Sequence, residues 1–203
     1  MIKIWPRFLS VLLCILLLAA GCGSSAAETP PEKPKEVLEE EEEEVFRTPV
    51  FGARTLNDGR KTGGSAKAKI GEELTNIFFS FCVNQAGLAT EYEDSKPERG
   101  FVYLIAELTV TSAFDGPLPM WADDFLIQWG DGENDYAYPL AKFTDSQMEG
   151  EYSLKVDESV TKDLIFEVPL PEGEHEYNIS YLEYYEDDVE GNMFYVIFSL
   201  SMD

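Results

Sequence analysis

From about Ile70 onward, apolar side chains recur at every second position of the chain. Seven runs show this period, at residues 77–83, 101–110, 125–129, 136–138, 164–168, 177–181 and 194–200. A period of two places alternate side chains on opposite faces of an extended strand, whereas an amphipathic helix repeats every 3.6 residues. The pattern therefore predicts seven strands that each bury one face. No stretch of this region has a convincing helical period, and no internal repeat is present.

Turn signals separate these runs. Gly130-Asp131-Gly132 divides the third run from the fourth, and residues 169–173 and 187–192 divide the last three. Glycine, proline and aspartate favour tight turns, and short strands with regular turns are typical of two packed sheets. We therefore expect an all-β, two-sheet antiparallel sandwich over residues 70–203.

Several stretches of this region resemble a known family. The matching residues are 100–104, 108–112, 124–127, 164–169 and 177–181. They resemble the telokin-like domain of many exported bacterial lipoproteins, a domain of unknown function numbered 4352 and related to an immunoprotective antigen. The family often has Asn where this chain has Ser112, and it has a Gly before the fifth strand that is missing here. The resemblance implies an immunoglobulin-like antiparallel β-sandwich of about seven strands in an exported protein, and it brings no catalytic residues.

The N-terminus has the pattern of a lipoprotein signal peptide. Lys3 and Arg7 precede an uncharged apolar run at residues 8–20, which is shorter than the roughly 20 residues that a membrane-spanning helix needs. The run ends in Leu18-Ala19-Ala20-Gly21-Cys22, which resembles a lipobox with Ala19 in place of the usual Leu. Residues 1–21 are therefore predicted to be removed and Cys22 to carry lipid. An ordinary secretory signal with a chance cysteine is the alternative.

Cysteine usage agrees with export without requiring a disulfide. Cys14 lies in the predicted signal peptide and Cys22 in the lipobox, so Cys82 is the remaining cysteine of the mature chain. A reactive thiol needs a low pKa and a basic neighbour, and the run 79–83 contains no basic residue. We expect Cys82 to be a structural, buried or half-buried residue.

The charge of the chain limits its partners. The formal net charge is −24, and residues 70–203 contain 29 acidic and five basic side chains. Such a domain is repelled by nucleic-acid phosphates and by anionic lipid headgroups. We therefore expect no nucleic-acid partner and no direct headgroup binding, and divalent cations or basic proteins are the allowed classes.

Residues 22–69 are predicted to form a flexible Pro/Glu-rich tether between the anchor and the domain. Proline clusters at 30–34, six consecutive glutamates occupy 39–44, and six basic side chains lie between 47 and 69. Runs of like charge repel themselves and stay solvated. The basic half is either part of a plain linker or a segment that lies on the acidic domain or on an anionic envelope polymer.

Candidate catalytic and metal residues give weak signals. His175 is the only histidine, no Gly-x-Ser-x-Gly elbow occurs, and pairs of carboxylates arise by chance among so many acids. The alternating acids Asp131, Glu133 and Asp135 could ligate calcium, as could the loop 187–192, but polar turn tips explain them equally well. Exposed aromatics could bind a glycan, although sandwiches also use aromatics in their cores.

We therefore expect a non-enzymatic interaction module of the cell envelope. It is predicted to be anchored by lipid on Cys22 at the extracytoplasmic face of the cell membrane, to need no cofactor, and to contact an envelope protein through a sheet edge or loops. The alternative is an envelope lipoprotein that binds calcium or a glycan.

Overall fold

The alternating runs form the long strands of the molecule. The computed structural model describes residues 47–185 and 187–202, which lie in one compact unit. The strands in these residues are β1 Arg54–Thr55, β2 Lys61–Thr62, β3 Ser65–Ala68, β4 Leu74–Thr75, β5 Phe79–Ala89, β6 Phe101–Ser112, β7 Leu118–Trp121, β8 Phe125–Gln128, β9 Tyr136–Ala137, β10 Glu151–Leu154, β11 Ser159–Pro169, β12 His175–Tyr184 and β13 Glu190–Leu200.

Most of these strands lie in two sheets. The four-stranded sheet has the order β11-β6-β5-β4, and all its neighbours are antiparallel. The five-stranded sheet has the order β3-β13-β12-β8-β9, in which only β3 and β13 run parallel. Two-stranded ribbons, β1–β2 and β7–β10, complete the arrangement. The expectation of an all-β sandwich is confirmed, and each of the seven predicted strands is present.

The core lies between the sheets. Phe166 at 0% exposure and Phe81 at 1% face inward from the four-stranded sheet, and Phe125 at 0% does so from the five-stranded sheet. The rings of Phe81 and Phe125 meet edge to face with centroids 5.4 Å apart, a favourable aromatic geometry. The inward faces predicted from the alternation are therefore the faces that the strands bury.

The outer face of the four-stranded sheet is polar at one end and covered at the other. Thr109 and Thr161 join their hydroxyls across β6 and β11 at 2.8 Å. Further along, Tyr103 and Ile165 are buried, because residues 140–148 cross over them and Leu140 donates its backbone N–H to the carbonyl of Ile165 at 2.7 Å. This sheet has therefore few unsatisfied groups to offer a partner.

The predicted tether boundary at residue 69 is wrong. Residues 47–69 are part of the folded unit: β3 pairs with β13, and Ala66 and Ala68 are buried at 1% and 7% exposure. The small side chains and single lysine of Ser-Ala-Lys-Ala give a weak strand signal, so only tertiary pairing defines this edge strand. Residues 22–46 lie outside the described residues.

No helix among the described residues is long and apolar enough to cross a membrane. The predicted signal peptide, residues 1–21, lies outside those residues.

Candidate functional site

A cleft opens where the N-terminal segment crosses one end of the sandwich. Its volume is about 550 Å³, within the range of small-molecule sites. Thr48 holds the segment in place, because its backbone N–H donates to the carbonyl of Thr75 at 3.0 Å and its hydroxyl accepts the Thr75 N–H at 2.8 Å. The walls come from four places in the chain, at 47–50, 58–61, 75–77 and the β12–β13 end, including Tyr185 and Asn192.

Asn76 lies at this cleft with its side chain fixed. Its Oδ1 accepts the backbone N–H groups of Phe78 at 2.7 Å and Phe79 at 3.0 Å, which is the side-chain turn that asparagine favours. These two donors decide which end of the amide is oxygen. The remaining Nδ2 is buried and has no hydrogen-bond partner among the described residues, although an unmet buried donor costs about 1–3 kcal/mol.

A buried carboxylate lies beside Asn76. Glu183, 1% exposed, sits at a β-bulge in β12, and its oxygens accept Ile77 N–H at 3.4 Å, Asn192 N–H at 3.2 Å and Asn192 Nδ2 at 2.9 Å. A Cβ on Gly191 would lie 2.5 Å from Oε2 of Glu183, so only glycine leaves room for this carboxylate. Each oxygen of Glu183 is therefore engaged within the fold.

Arg60 fastens the β1–β2 turn to the β12–β13 turn. Its guanidinium donates to both oxygens of Asp187, at 2.5 and 2.9 Å, and to Asp58 at 2.8 Å, and it lies over the Tyr185 ring at 4.9 Å from the centroid. These contacts hold the pKa values of Asp58 and Asp187 below their usual range, chiefly through the hydrogen bonds from Arg60. Arg60 thus ties the basic segment to the acidic region, and that segment is an integral part of the folded unit.

Two further cations stand at the rim of the cleft. Arg47 and Lys61 are exposed, and neither has a carboxylate within 4 Å among the described residues. Burial and then the Glu183 carboxylate raise the pKa of Tyr185, while the hydrogen bond to the Lys61 backbone and the charges of Arg60 and Arg47 oppose that rise. Arg47 and Tyr185 line the same cleft. The rim is therefore a positive spot on a strongly acidic protein.

A second surface feature is the outer face of the five-stranded sheet, called here the sheet face. Its residues alternate with the buried residues of β8, β12 and β13, and one of them, Glu176 at the start of β12, is charged. The residues without formal charge are Leu126, Gln128, Asn178, Ser180, Leu182, Met193, Tyr195 and Ile197. Except for buried Ser180 they are half-buried, and none belongs to the core or packs against it. Lys67 lies at the edge of this face, opposite Tyr195.

The residues considered for catalysis are dispersed. His175 begins β12, is exposed, and its Nε2 donates to the carbonyl of Trp129 at 2.6 Å. Cys82 is half-buried, as expected, and burial raises the pKa of its thiol, which disfavours the reactive thiolate. No hydrogen bond joins His175 and Cys82 within the described part of the chain.

The calcium candidates do not converge. Asp131 and Glu133 are exposed, whereas Asp135 folds back to accept the Gly132 N–H at 2.9 Å. No three His, Cys, Asp or Glu side chains within the described ranges are grouped to hold a metal ion. In the other candidate loop, the Arg60 guanidinium already pairs with Asp187. Cys22, the predicted lipid site, lies outside the described residues.

Among known proteins, the matches to this chain are solved structures. No family model and no curated protein matches the chain. Similar solved structures include a candidate lipoprotein (ycdA) from Bacillus subtilis subsp. subtilis str. 168, with 16% identity, 64% of this chain covered and a TM-score of 0.48. This chain spans 38% of that protein's length. An uncharacterized β-sandwich protein from Clostridium difficile 630 has 12% identity, 71% and 99% coverage and a TM-score of 0.42.

The yjhA protein from Bacillus subtilis is also similar, with 18% identity, 66% coverage of this chain, 98% of that chain and a TM-score of 0.42. The telokin-like assignment stays a prediction, because no family model matches.

Neither Asn76 nor Glu183 stands out in the sequence as a functional residue. Asn76 directly precedes the first apolar run, where a turn asparagine has an ordinary structural role. Glu183 is one acid among many in an acidic stretch, and its burial depends on a bulge that no local pattern reveals. The one sequence signal for this site is Gly191, because its lack of a side chain lets the Glu183 carboxylate approach the backbone of β13 closely.

Proposed function

We propose that this protein is a membrane-anchored, extracytoplasmic and non-enzymatic interaction module of the telokin-like type. Lipid on Cys22 holds it at the membrane, and an envelope protein binds the sheet face. The observation that carries the proposal is a largely uncharged sheet face on a chain of net charge −24, whose uncharged residues pack against no part of the core among the described residues. An exposed apolar patch on a soluble domain commonly marks a protein contact.

The charge distribution specifies the kind of partner. An acidic surface approaching the sheet face would be repelled by the surrounding carboxylates, whereas a neutral or basic surface would not. A contacting protein with an apolar centre and a basic rim is therefore the best match. A second copy of this chain is a poorer match, because two copies would bring their negative charges together.

The two sheets differ in what they present. The threonine hydroxyls of the four-stranded sheet bond to each other, and residues 140–148 cover its other end. The sheet face has side chains such as Tyr195 and Ile197 with no comparable cover among the described residues. These contrasts support contact through the sheet face, rather than the sheet edge or loops considered first.

The test uses the mature protein as bait in detergent-solubilised envelope. Ile197→Lys places a charge on the sheet face, opposite Asn178, and Thr161→Lys places the same charge on the exposed outer face of the other sheet. A protein retained by wild type and Thr161→Lys but lost from Ile197→Lys, with equal melting temperatures, supports the proposal. Equal retention by both lysine variants would contradict it.

Sedimentation of the bait alone separates the partner from self-association. A monomer is expected. A dimer that Ile197→Lys dissociates would show that the occupant is a second copy of the chain.

One observation favours glycan binding as a second candidate function. Tyr136, Tyr138 and Tyr184 are exposed, the first two rings have centroids 5.9 Å apart, and Tyr138 is close enough to Tyr184 to raise its pKa after the effects of burial and Glu190. Exposed aromatic rings can stack on sugars. A glycan array probed with wild type and Tyr138→Ala tests this alternative, and a signal that Tyr138→Ala removes would favour it over the protein partner.

A further inference from the structure

The cleft beside Asn76 is built for a ligand with two features. It has an unpaired neutral donor at its floor, Asn76 Nδ2, and two exposed cations at its rim, Arg47 and Lys61. Asn76 is 2% exposed, and its orientation is fixed by the two backbone amides that its Oδ1 accepts. A donor held this rigidly, with no partner among the described residues, is ready to receive an acceptor atom.

The position of Glu183 decides which part of the ligand lies on the floor. This carboxylate accepts the N–H of Ile77, the residue after Asn76, so an anion placed on Asn76 would approach a buried negative charge. Such an arrangement is costly in a poorly solvated site. The acceptor on Asn76 is therefore neutral, and the negative charge of the ligand belongs at the rim.

We propose that the cleft binds a small organic anion that contains a neutral amide carbonyl. The carbonyl oxygen accepts from Asn76 Nδ2, and the anionic group lies between Arg47 and Lys61. An acylated amino acid or acidic peptide end and an acylated amino-sugar phosphate share this chemistry. This site is separate from the sheet face and does not depend on the protein partner proposed above.

The cleft is also held open. The Arg60 guanidinium already pairs with Asp58 and Asp187, so it does not neutralise a bound anion. It also lies over the Tyr185 ring and so fixes that wall of the cleft. Asn192 fixes the opposite wall by donating from Nδ2 to the carbonyl of Lys61 at 3.0 Å and accepting Gly64 N–H at 3.1 Å. Among the described residues, these contacts leave Arg47 and Lys61 as the cleft cations without a carboxylate partner.

Binding is measured by NMR titration of the mature chain with Cys22→Ser, which keeps it in solution. The probes are N-acetylglycine and N-acetylglucosamine 1-phosphate, compared with acetate, inorganic phosphate and uncharged N-acetylglycinamide. Saturable binding of at least one acylated anion, tighter than all three comparison compounds, is expected. The side-chain amide signals of Asn76 should move in the same titration. The preferred probe distinguishes a carboxylate from a phosphate ligand.

Variants assign the contacts. Arg47→Gln and Lys61→Gln should each weaken binding about ten-fold, as expected for loss of one charge-assisted contact, whereas Lys155→Gln, an equally exposed lysine in the β10–β11 turn, should have no effect. Asn76→Asp keeps the acceptor for Phe78 and Phe79 but removes the donor, and should abolish binding. Unmoved Asn76 signals, binding of acetate as tight as that of N-acetylglycine, or insensitivity to Arg47→Gln would each overturn the proposal.

Discussion

At the scale of single residues, Asn192 joins three parts of the chain. It bonds to Gly64, Lys61 and Glu183 through both atoms of its amide, and it is 5% exposed. Asn192→Ala should lower the free energy of unfolding by about 2–4 kcal/mol, because it leaves the buried Gly64 N–H without an acceptor and removes the side-chain donor to the Glu183 carboxylate. Denaturant unfolding measures this.

The matched control for Asn192 is Asn84→Ala. Asn84 also makes two side-chain bonds, to Glu107 at 3.0 Å and Thr109 at 2.9 Å, but it is exposed. Water replaces those bonds, so the change should be within about 0.5 kcal/mol. Equal losses for the two variants would contradict the role assigned to burial.

Asp124 should make stability depend on pH. Burial raises its pKa to about 6, against the hydrogen bond that its Oδ2 accepts from Trp121 N–H at 2.9 Å. The unfolded chain takes up this proton only near pH 4, so between about pH 4 and 6 the folded state binds more protons. The contribution of Asp124 to stability therefore falls as pH rises through this window, and the loss is complete above about pH 6.

Asp124→Asn should remove that loss. Relative to wild type, the variant should be more stable by about 1–2 kcal/mol at pH 7.5, after a discount for partial exposure, and no more stable at pH 4. Unfolding of both proteins between pH 4 and 8 gives the difference curve. Asp123→Asn, at the exposed neighbouring position, should give a flat difference curve, and a flat curve for Asp124→Asn would show that the carboxyl is effectively solvated.

The roles of individual polar side chains were the feature that the sequence predicted least well. The burial of Phe166 and Val168 follows from their period, because the alternation alone assigns them to one face. The partners of Glu183 and Asn76 depend on a bulge, a turn and a segment more than 100 residues away from β13. Hydrogen bonds between distant residues leave no local pattern, so no sequence argument could locate the cleft.

At the scale of elements, β3 should be essential to the sandwich. It supplies buried Ala66 and Ala68 and covers the β13 edge. A chain starting at Ile70 should therefore melt more than 10 °C lower than a chain starting at Glu44, on the order of several kcal/mol for a domain of this size, or should not fold cooperatively. Calorimetry measures both.

Residues 22–43 provide the internal comparison. The chain starting at Glu44 should melt close to the mature chain that starts at Cys22. If the chain starting at Ile70 melts within a few degrees of these two longer chains, β3 is dispensable for folding and the folded domain can begin at residue 70, as the sequence predicted.

The strands differ in how readily the sequence alone predicts them. Strands of ten or more residues can be predicted from the sequence, because alternation over that length is unambiguous, as in β6. The strands missed by the pattern, such as β4 and β10, have two to four residues, and β3 consists of alanine and polar residues. Their pairing partners specify them, and pairing partners cannot be read locally.

At the scale of the whole molecule, the anchor is the claim that most needs a direct test. Expressed in a bacterium, the full chain should enter the detergent phase on partitioning, whereas Cys22→Ser should stay in the aqueous phase, because stable attachment needs acyl chains on that thiol. Cys82→Ser is the matched control and should partition like wild type. If Cys22→Ser and wild type partition alike, the protein is not anchored at this cysteine.

The parallel pairing of β3 with β13 also has a mechanical meaning. Any pull on the chain before Arg47 reaches the sandwich first through the bonds between Thr48 and Thr75, and then through the Arg60–Asp187 contact and β3, which lies alongside the C-terminal strand. A load directed along β3 would stress its hydrogen bonds to β13 together, instead of peeling them apart one after another. β3 would thus share the load with the Thr48–Thr75 bonds at the edge of the other sheet, and the central strands would bear less of it.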